Sequence, residues 1–411
     1  MYGSRCGNHS IIMQAGGFHL QKTQPTEGYQ YDEAKRSIAK HYEDAKLTMG
    51  FLNGTLIPLA FCVTLLLSDA SRQLANAVEL ISGSYWIDLG SYVATFVIGL
   101  QLVALPLTFY SGFVVDHRFQ LSTQTIRGWI VDTLKEVGIE LIFAILAATV
   151  LYYLIENVAY WWIAAAVIFA AFSILLSIIL PFVFLPIFYK VNPLSDVQLK
   201  EGLLQMTKTS GVSNIDRVLV ADESRRSIRA NAFFSGVGKS KSIVLFDTLL
   251  NNFTHREITT VVAHELGHYV NKDIWKEALT TGLLIIPPFF IIDIALRYAV
   301  RASIITSMID PAGIPIVFSI LIGVTFGLQP VSNAISRSVE RQADVFALKV
   351  AKDPEAQAST ERRLADLSLS VDSPNRLVEL FFYTHPPSSQ RIKLAENWNK
   401  TVPASEPNFV S

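Results

Sequence analysis

Val261-Val262-Ala263-His264-Glu265-Leu266-Gly267-His268 is an apolar run in which two histidines stand four residues apart. On an α-helix this spacing puts both imidazoles on one face, where two ring nitrogens can hold a single metal ion. Glu265 follows the first histidine, placing a carboxylate where it can take a proton from water. Zinc suits nitrogen and oxygen ligands in a tetrahedron, and a catalytic ion keeps one position open, so a third protein ligand is required. Such an ion lowers the pKa of its water from about 15.7 to about 7 and polarises a carbonyl, which makes peptide hydrolysis feasible near neutrality. The competing reading is a chance meeting of two histidines in a core helix. It would bury ionisable groups in apolar surroundings without partners, at high cost.

The third ligand is sought in Ser338-Val339-Glu340-Arg341-Gln342-Ala343-Asp344, which offers two carboxylates one helical turn apart. Glu340 can ligate while Asp344 accepts the second ring N–H of a histidine, the partner that metal-bound imidazoles usually have. Alone, the pair reads as a solvated helix face with Arg337 and Arg341 as ion-pair partners. The upstream motif is what changes its meaning.

Around these elements the chain is that of a membrane protein. Of 411 residues, 51% are hydrophobic and 17% charged, too apolar for an ordinary soluble domain. A helix needs about 20 apolar residues to cross a hydrocarbon core about 30 Å thick. Six stretches meet that ruler, near 50–68, 91–114, 136–155, 160–189, 278–299 and 313–335, with Pro181, Pro186, Pro287 and Pro288 expected to kink their helices. Arg118, Arg127, Lys135 and the basic residues before 50 and in 190–277 contrast with 156–159, which carries no positive charge, and this sets both termini and the central segment on the cytoplasmic side. Arg297 and Arg301 fall on the opposite side. A net charge of −1 gives no positive field for nucleic acid, and none is expected as a partner. Cys6 and Cys62 offer neither a disulfide framework nor a thiolate cluster.

The expected fold is mainly α: a polytopic membrane protein with about six transmembrane helices and a zincin-like α+β catalytic domain with a short β-sheet. Residues 1–49 read as an N-terminal leader and amphipathic segment, loosely ordered over its first 45 residues. Four transmembrane helices follow in 50–189, a catalytic region with the H-E-x-x-H helix in 190–277, two more transmembrane helices in 278–335, and the second half of the catalytic domain in 336–411. Within 190–277 the pattern predicts a helix over 199–210 and extended segments at 217–221, 231–235 and 242–245. One of the last two should present a free edge, along which a peptide gains main-chain hydrogen bonds. Breaks fall at Asp353-Pro354, Ser373-Pro374 and Pro386-Pro387.

Further motifs follow in order: Leu105-Pro106 through Phe113-Val114, Gln124-Thr125, Ala230-Asn231-Ala232-Phe233-Phe234, Ile243-Val244-Leu245-Phe246-Asp247-Thr248-Leu249-Leu250, and His385-Pro386-Pro387 with Arg391. Together with the H-E-x-x-H helix and Glu340 to Asp344, they make the sequence resemble the type 1 CAAX prenyl protease family. Its members are membrane zinc metallopeptidases that process C-terminal prenylated peptides, and the resemblance spans roughly residues 90 to 395. It implies one zinc ion per chain held by His264, His268 and Glu340, with Glu265 as general base. It further implies that His385 helps stabilise the oxyanion and that Asn231 and Arg391 lie with the substrate. Read without the family, a lone His before two prolines is a rigid surface turn and a lone Asn a turn former.

The implied partners are a peptide or protein substrate, prenylated as in the family, and the lipid bilayer. Eukaryotic members have seven spans enclosing a chamber, whereas six are found here. The segment 406–411 carries no endoplasmic-reticulum retrieval signal, so the expectation is a prokaryotic homologue in a bacterial or archaeal membrane with its active site facing the cytoplasm. The nearest competing function is a general membrane-protein quality-control zinc peptidase, which shares the motif but has fewer spans. A transporter with a structural metal site belongs to another class, and the few charges within the six apolar cores argue against it. A catalytically dead scaffold is opposed by the presence of all four metal-site residues.

Overall fold

The computed structural model describes residues 25–212, 215–235 and 241–401. Cys6, the first 24 residues of the leader and the segment 406–411 lie outside the described residues. The chain begins with a rod made of α1 (Glu33–Phe51), a π-helical stretch (Leu52–Leu56) and α2 (Ile57–Leu67). A short amphipathic α3 (Ala70–Ser82) then leads into α4 (Tyr85–Phe109), a second π-helical stretch (Tyr110–Val115) and α5 (Asp116–Arg118). The long α6 (Ile126–Asn157) and α7 (Trp161–Phe188) complete the first membrane block.

Among the described residues, five helical stretches are long and apolar enough to cross a bilayer: Glu33–Leu67, Tyr85–Arg118, Ile126–Asn157, Asp273–Arg301 and Pro311–Ala351. The sixth expected crossing, near 160–189, is α7, whose 28 residues at about 1.5 Å each reach past a core about 30 Å thick. Side chains between 177 and 184, Pro181 among them, are outside the described set, while the backbone stays helical through Pro186 to Phe188. Pro287 and Pro288 do not kink a helix as expected. They follow a break at Ile285, with Pro287 in the first turn of the next helix, where a missing N–H costs nothing.

The crossings alternate between two ends. At one, Arg72 pairs with Asp310 at 3.1 Å and the Tyr85 hydroxyl donates to the Ile309 carbonyl at 2.7 Å. At the other, Ser122 bridges Ser227, and Arg226 pairs with Asp132 at 2.9 Å. The chain's N-terminal side lies at this second end. Asp32 caps α1, Arg36 pairs with Asp366 at 2.5 Å, and the Tyr29 hydroxyl donates to Asp366 at 2.9 Å. The loosely ordered leader expected over the first 45 residues therefore gives way to helix from Glu33, because its polar groups dock on residues more than 300 positions away.

Between the membrane blocks stand β1 (Val191–Pro193), α8 (Val197–Thr209), β2 (Ile215–Ala221), β3 (Ala232–Ser235), β4 (Lys241–Phe246) and α9 (Asp247–Asn252). The four strands form one sheet in the order β1-β2-β4-β3, with β2 and β4 parallel and the outer pairs antiparallel. Central β4 buries Ile243, Val244 and Leu245, as a run of β-branched and aliphatic residues requires, and β3 is an edge strand. Next comes α10 (His255–Val270), then α11 (Asp273–Leu284), α12 (Ile286–Arg301) and a 38-residue α13 (Ile314–Ala351). The chain closes with α14 (Pro354–Ser368), α15 (Arg376–Phe382) and α16 (Ser388–Thr401). Each of the last three starts at or just after a proline break read from the sequence.

Candidate active site

The site is built on α10. Thr254 and Glu257 form a reciprocal capping box that satisfies the first N–H groups and fixes where the helix starts. Ile258, Val262, Ala263 and Leu266 then fall on one face and join one core with Ile243 and Leu245 of β4 and Leu249 of α9. The 3.6-residue period thus turns His264 and His268 away from that core and leaves Glu265 on its flank, beside Ile258. Facing them is α13, which approaches closely because of Gly267. A Cβ there would stand 3.1 Å from both Ala343 Cα and Phe346 Cβ, so any larger residue would push α13 and its carboxylates away.

Across this contact His264, His268 and Glu340 converge, each offering one ligand atom, with all three atoms within 4.8 Å of one another. The two Nε2 atoms are 3.2 Å apart, Glu340 Oε2 is 3.2 Å from His264 Nε2, and Glu340 Oε1 is 3.6 Å from His268 Nε2. Bonds of about 2.0–2.1 Å from a tetrahedral zinc ion make ligand–ligand edges of about 3.3 Å. The two ring nitrogens and the two oxygens of the one carboxylate lie near that spacing, so the three side chains suit such an ion. Glu340 Oε2 is also buried, with His264 Nε2 as its polar neighbour, a position that metal ligation would satisfy.

Behind the ligands lie carboxylates. His264 Nδ1 faces Asp344 Oδ1 at 2.9 Å, the brace expected from the sequence. His268 Nδ1 faces Asp273 Oδ2 at 2.9 Å, a partner that sequence reasoning missed, and Lys276 holds the other oxygen of Asp273 at 2.7 Å. The Asp344 carboxylate in turn receives Arg391 through Nε at 2.8 Å and Nη2 at 2.5 Å, while Arg391 Nη1 reaches Glu361 at 2.9 Å. Glu361 is the second residue missed.

Burial opposes a charged imidazole at His264, but hydrogen bonds to Asp344 and Glu340 outweigh it and lift the ring to about 10. The surroundings are those of a cation. Burial also raises the Glu265 carboxyl, with the two histidines opposing, which suits a group that must accept a proton near neutrality. His385, on the loop before α16, sets Nε2 3.2 Å from Glu340 Oε1 and Nδ1 2.9 Å from Thr384 Oγ1, with its side chain 59% exposed. Asn231 is exposed at the start of β3, and its Oδ1 accepts from Ala232 N at 2.8 Å. Asn231, His264, Glu265, His385 and Arg391 share one cavity of about 420 Å³ with apolar walls that include Leu249 and Leu364. The structure thus brings every expected site residue to one place. Arg391 reaches that cavity with its guanidinium already committed to two carboxylates.

Glu361 gives the site a pH term. Burial, against the pull of Arg391, raises its carboxyl from 4.5 to about 7. Over that window the folded chain keeps a proton that the unfolded chain has released, so this contribution to stability is complete below about pH 4.5 and is lost as pH rises through about 7. Thermal unfolding from pH ~5 to ~8 should show wild type losing Tm relative to Glu361→Gln. Parallel curves for the two proteins would exclude titration of Glu361 in this range.

Comparison with known proteins agrees with the geometry. The model of peptidase family M48 matches residues 193–399, and that of the CAAX prenyl protease N-terminal region, described as five membrane helices, matches residues 18–190. The uncharacterized metalloprotease YhfN of Bacillus subtilis is 29% identical over 367 residues, which cover 88% of this chain and 85% of that protein. CAAX prenyl protease 1 of Saccharomyces cerevisiae is 31% identical over 319 residues, covering 71% of this chain and 68% of that protein. The crystal structure of S. mikatae Ste24p superposes with a TM-score of 0.75 at 25% identity, covering 88% of each chain.

Proposed function

This chain belongs to peptidase family M48 as an integral-membrane metalloprotease, and from that premise we propose that it is a zinc endopeptidase cleaving near the C-terminus of prenylated peptides at the cytoplasmic face of a bacterial membrane. The observation that carries the reading is the convergence of His264, His268 and Glu340, with the Glu265 carboxylate beside them. The yeast relative's name supports the prenylated substrate, the Bacillus relative supports a bacterial membrane, and the basic segments at the catalytic end support the cytoplasmic orientation.

His264 and His268 through Nε2, and Glu340 through its carboxylate, would hold the ion. Zinc, when bound, supplies the Lewis acidity that polarises the scissile carbonyl. Glu265 takes a proton from the attacking water and passes it to the leaving amine. His385 donates a hydrogen bond to the developing oxyanion, with its ring steadied by Thr384. Asp344 and Asp273 fix the orientation of the two imidazoles. The free edge of β3 aligns the peptide backbone, and the Asn231 amide, at the head of that strand, adds a contact to it. Arg391 closes the cavity wall while it braces Asp344.

Purified protein should contain one zinc per chain, lost with a chelator together with peptidase activity. Farnesylated peptides should be cleaved well ahead of unmodified peptides of the same sequence, and equal rates on both would favour a general membrane-protein peptidase. His385→Ala should lower kcat about 10²- to 10³-fold with zinc content unchanged. Full activity per folded molecule in that variant would leave His385 no part in the reaction.

A further inference from the structure

Two open clefts adjoin along one face of α13. The first, about 390 Å³, is bounded by Arg341, Val345 and Lys349, with Asn271 at the turn between α10 and α11. The second, about 630 Å³, is walled by Val331, Ile335 and Leu380. Ser338 and Gln342 line both, so the two form one groove. At about 100° per residue, Ser338, Gln342, Val345 and Lys349 lie about 140° to 200° around the helix from Glu340, and Arg341 about 100° from it. The groove therefore faces away from the metal ligands.

Its chemistry changes along its length. Val331 and Ile335, 50% and 39% exposed, lie in the apolar part of the Pro311–Ala351 span, whereas Arg341 and Lys349 lie toward the end where the helix reaches the catalytic domain. From Val331 to Lys349 the helix rises about 27 Å, more than one leaflet with its headgroups, about 20 Å. A lipid phosphate level with Val345, midway between Arg341 and Lys349, would stand about 21 Å above Val331, about the depth of one leaflet. Arg341 and Lys349 are exposed, their side chains have no hydrogen-bond or ion-pair partner among the described residues, and no carboxylate lines either cleft. Lys276 at the junction is held by Asp273 and Gln342, so Arg341 and Lys349 are the cations left to meet a ligand.

We propose that this groove binds an anionic phospholipid, its phosphate between Arg341 and Lys349 and one acyl chain along Val331 and Ile335. Two unpaired cations beside an emerging transmembrane helix recognise negative headgroup charge, and the apolar cleft below them suits a chain already dissolved in the bilayer. A zwitterionic lipid would fill the lower cleft but gain little from the upper one.

The test is lipid titration of the full-length protein in detergent, followed by native mass spectrometry, using phosphatidylglycerol and phosphatidylcholine with the same acyl chains. Wild type should bind phosphatidylglycerol more tightly. Arg341→Gln with Lys349→Gln should weaken that lipid about thirtyfold, from about fivefold per basic residue, and leave phosphatidylcholine unchanged. Arg341→Lys with Lys349→Arg should bind like wild type, and Val331→Asn should weaken both lipids. Unchanged discrimination in the double Gln variant would overturn the proposal, as would equal loss in the charge-keeping pair. Free glycerol 3-phosphate competing as well as the whole lipid would reduce the site to a phosphate pocket and overturn it too. Turnover plays no part in these readings, so they stand or fall separately from the peptidase assignment.

Discussion

Glu265→Gln is expected to keep the bound metal and to lose peptide cleavage by about 10²- to 10⁴-fold, the usual worth of a positioned general base. Its carboxylate adjoins His264 in sequence and lines the same cavity, but it is not among the converging ligand atoms. The amide has nearly the same shape and cannot take a proton. His264→Ala, His268→Ala and Glu340→Ala each remove one of three ligand atoms and should lose the metal itself. Metal content by elemental analysis beside single-turnover cleavage separates the two outcomes. Metal loss in Glu265→Gln as complete as in His264→Ala would mean that Glu265 is a ligand and that the base lies elsewhere.

Arg391→Ala should cost about 3 to 5 kcal/mol, because it leaves carboxylates in a buried site without their cation. The Asp344 side chain is 1% exposed and that of Glu361 6%, so both carboxylates take their compensating charge from the guanidinium rather than from bulk water. Glu361, already raised to about 7, can escape by holding its proton. Asp344 cannot do so as readily, since it also faces His264 Nδ1. Adding Asp344→Asn to Arg391→Ala should therefore recover part of the lost stability while weakening metal affinity about 10- to 100-fold. Thermal unfolding and zinc titration of the two single variants and the double variant give the coupling. Additive losses would show that Arg391 and Asp344 act independently, contrary to their two short contacts.

The H-E-x-x-H helix was legible because its period and its chemistry are both local. Glu340 and Asp344 could be picked out because two carboxylates one turn apart answer the need for a ligand and a brace. Asp273 left a trace, an acid five residues after His268, but it also reads as the ordinary acidic start of the next helix. Glu361 had no such trace. In Ser359-Thr360-Glu361-Arg362-Arg363 it looks like a solvated helix face, and only the packing of α14 against α16 sets it on Arg391. The spans were found at their apolar centres, but α13 runs well past its apolar part, since a helix does not end where hydrophobicity does. The docking of Tyr29 and Arg36 on Asp366 was unreadable because neither partner carries a mark of the other.

The two ligand-bearing helices are separated in sequence by an entire hairpin of membrane crossings, α11 and α12 outward and α13 back. During synthesis the chain thus carries His264 and His268 well before Glu340, and Glu340 reaches them only when that hairpin has inserted and returned. Two imidazoles alone make a weak and incomplete coordination shell. A chain in which that hairpin has not returned thus holds two of the three ligands, so insertion of the hairpin in the bilayer and completion of the ligand set are one event.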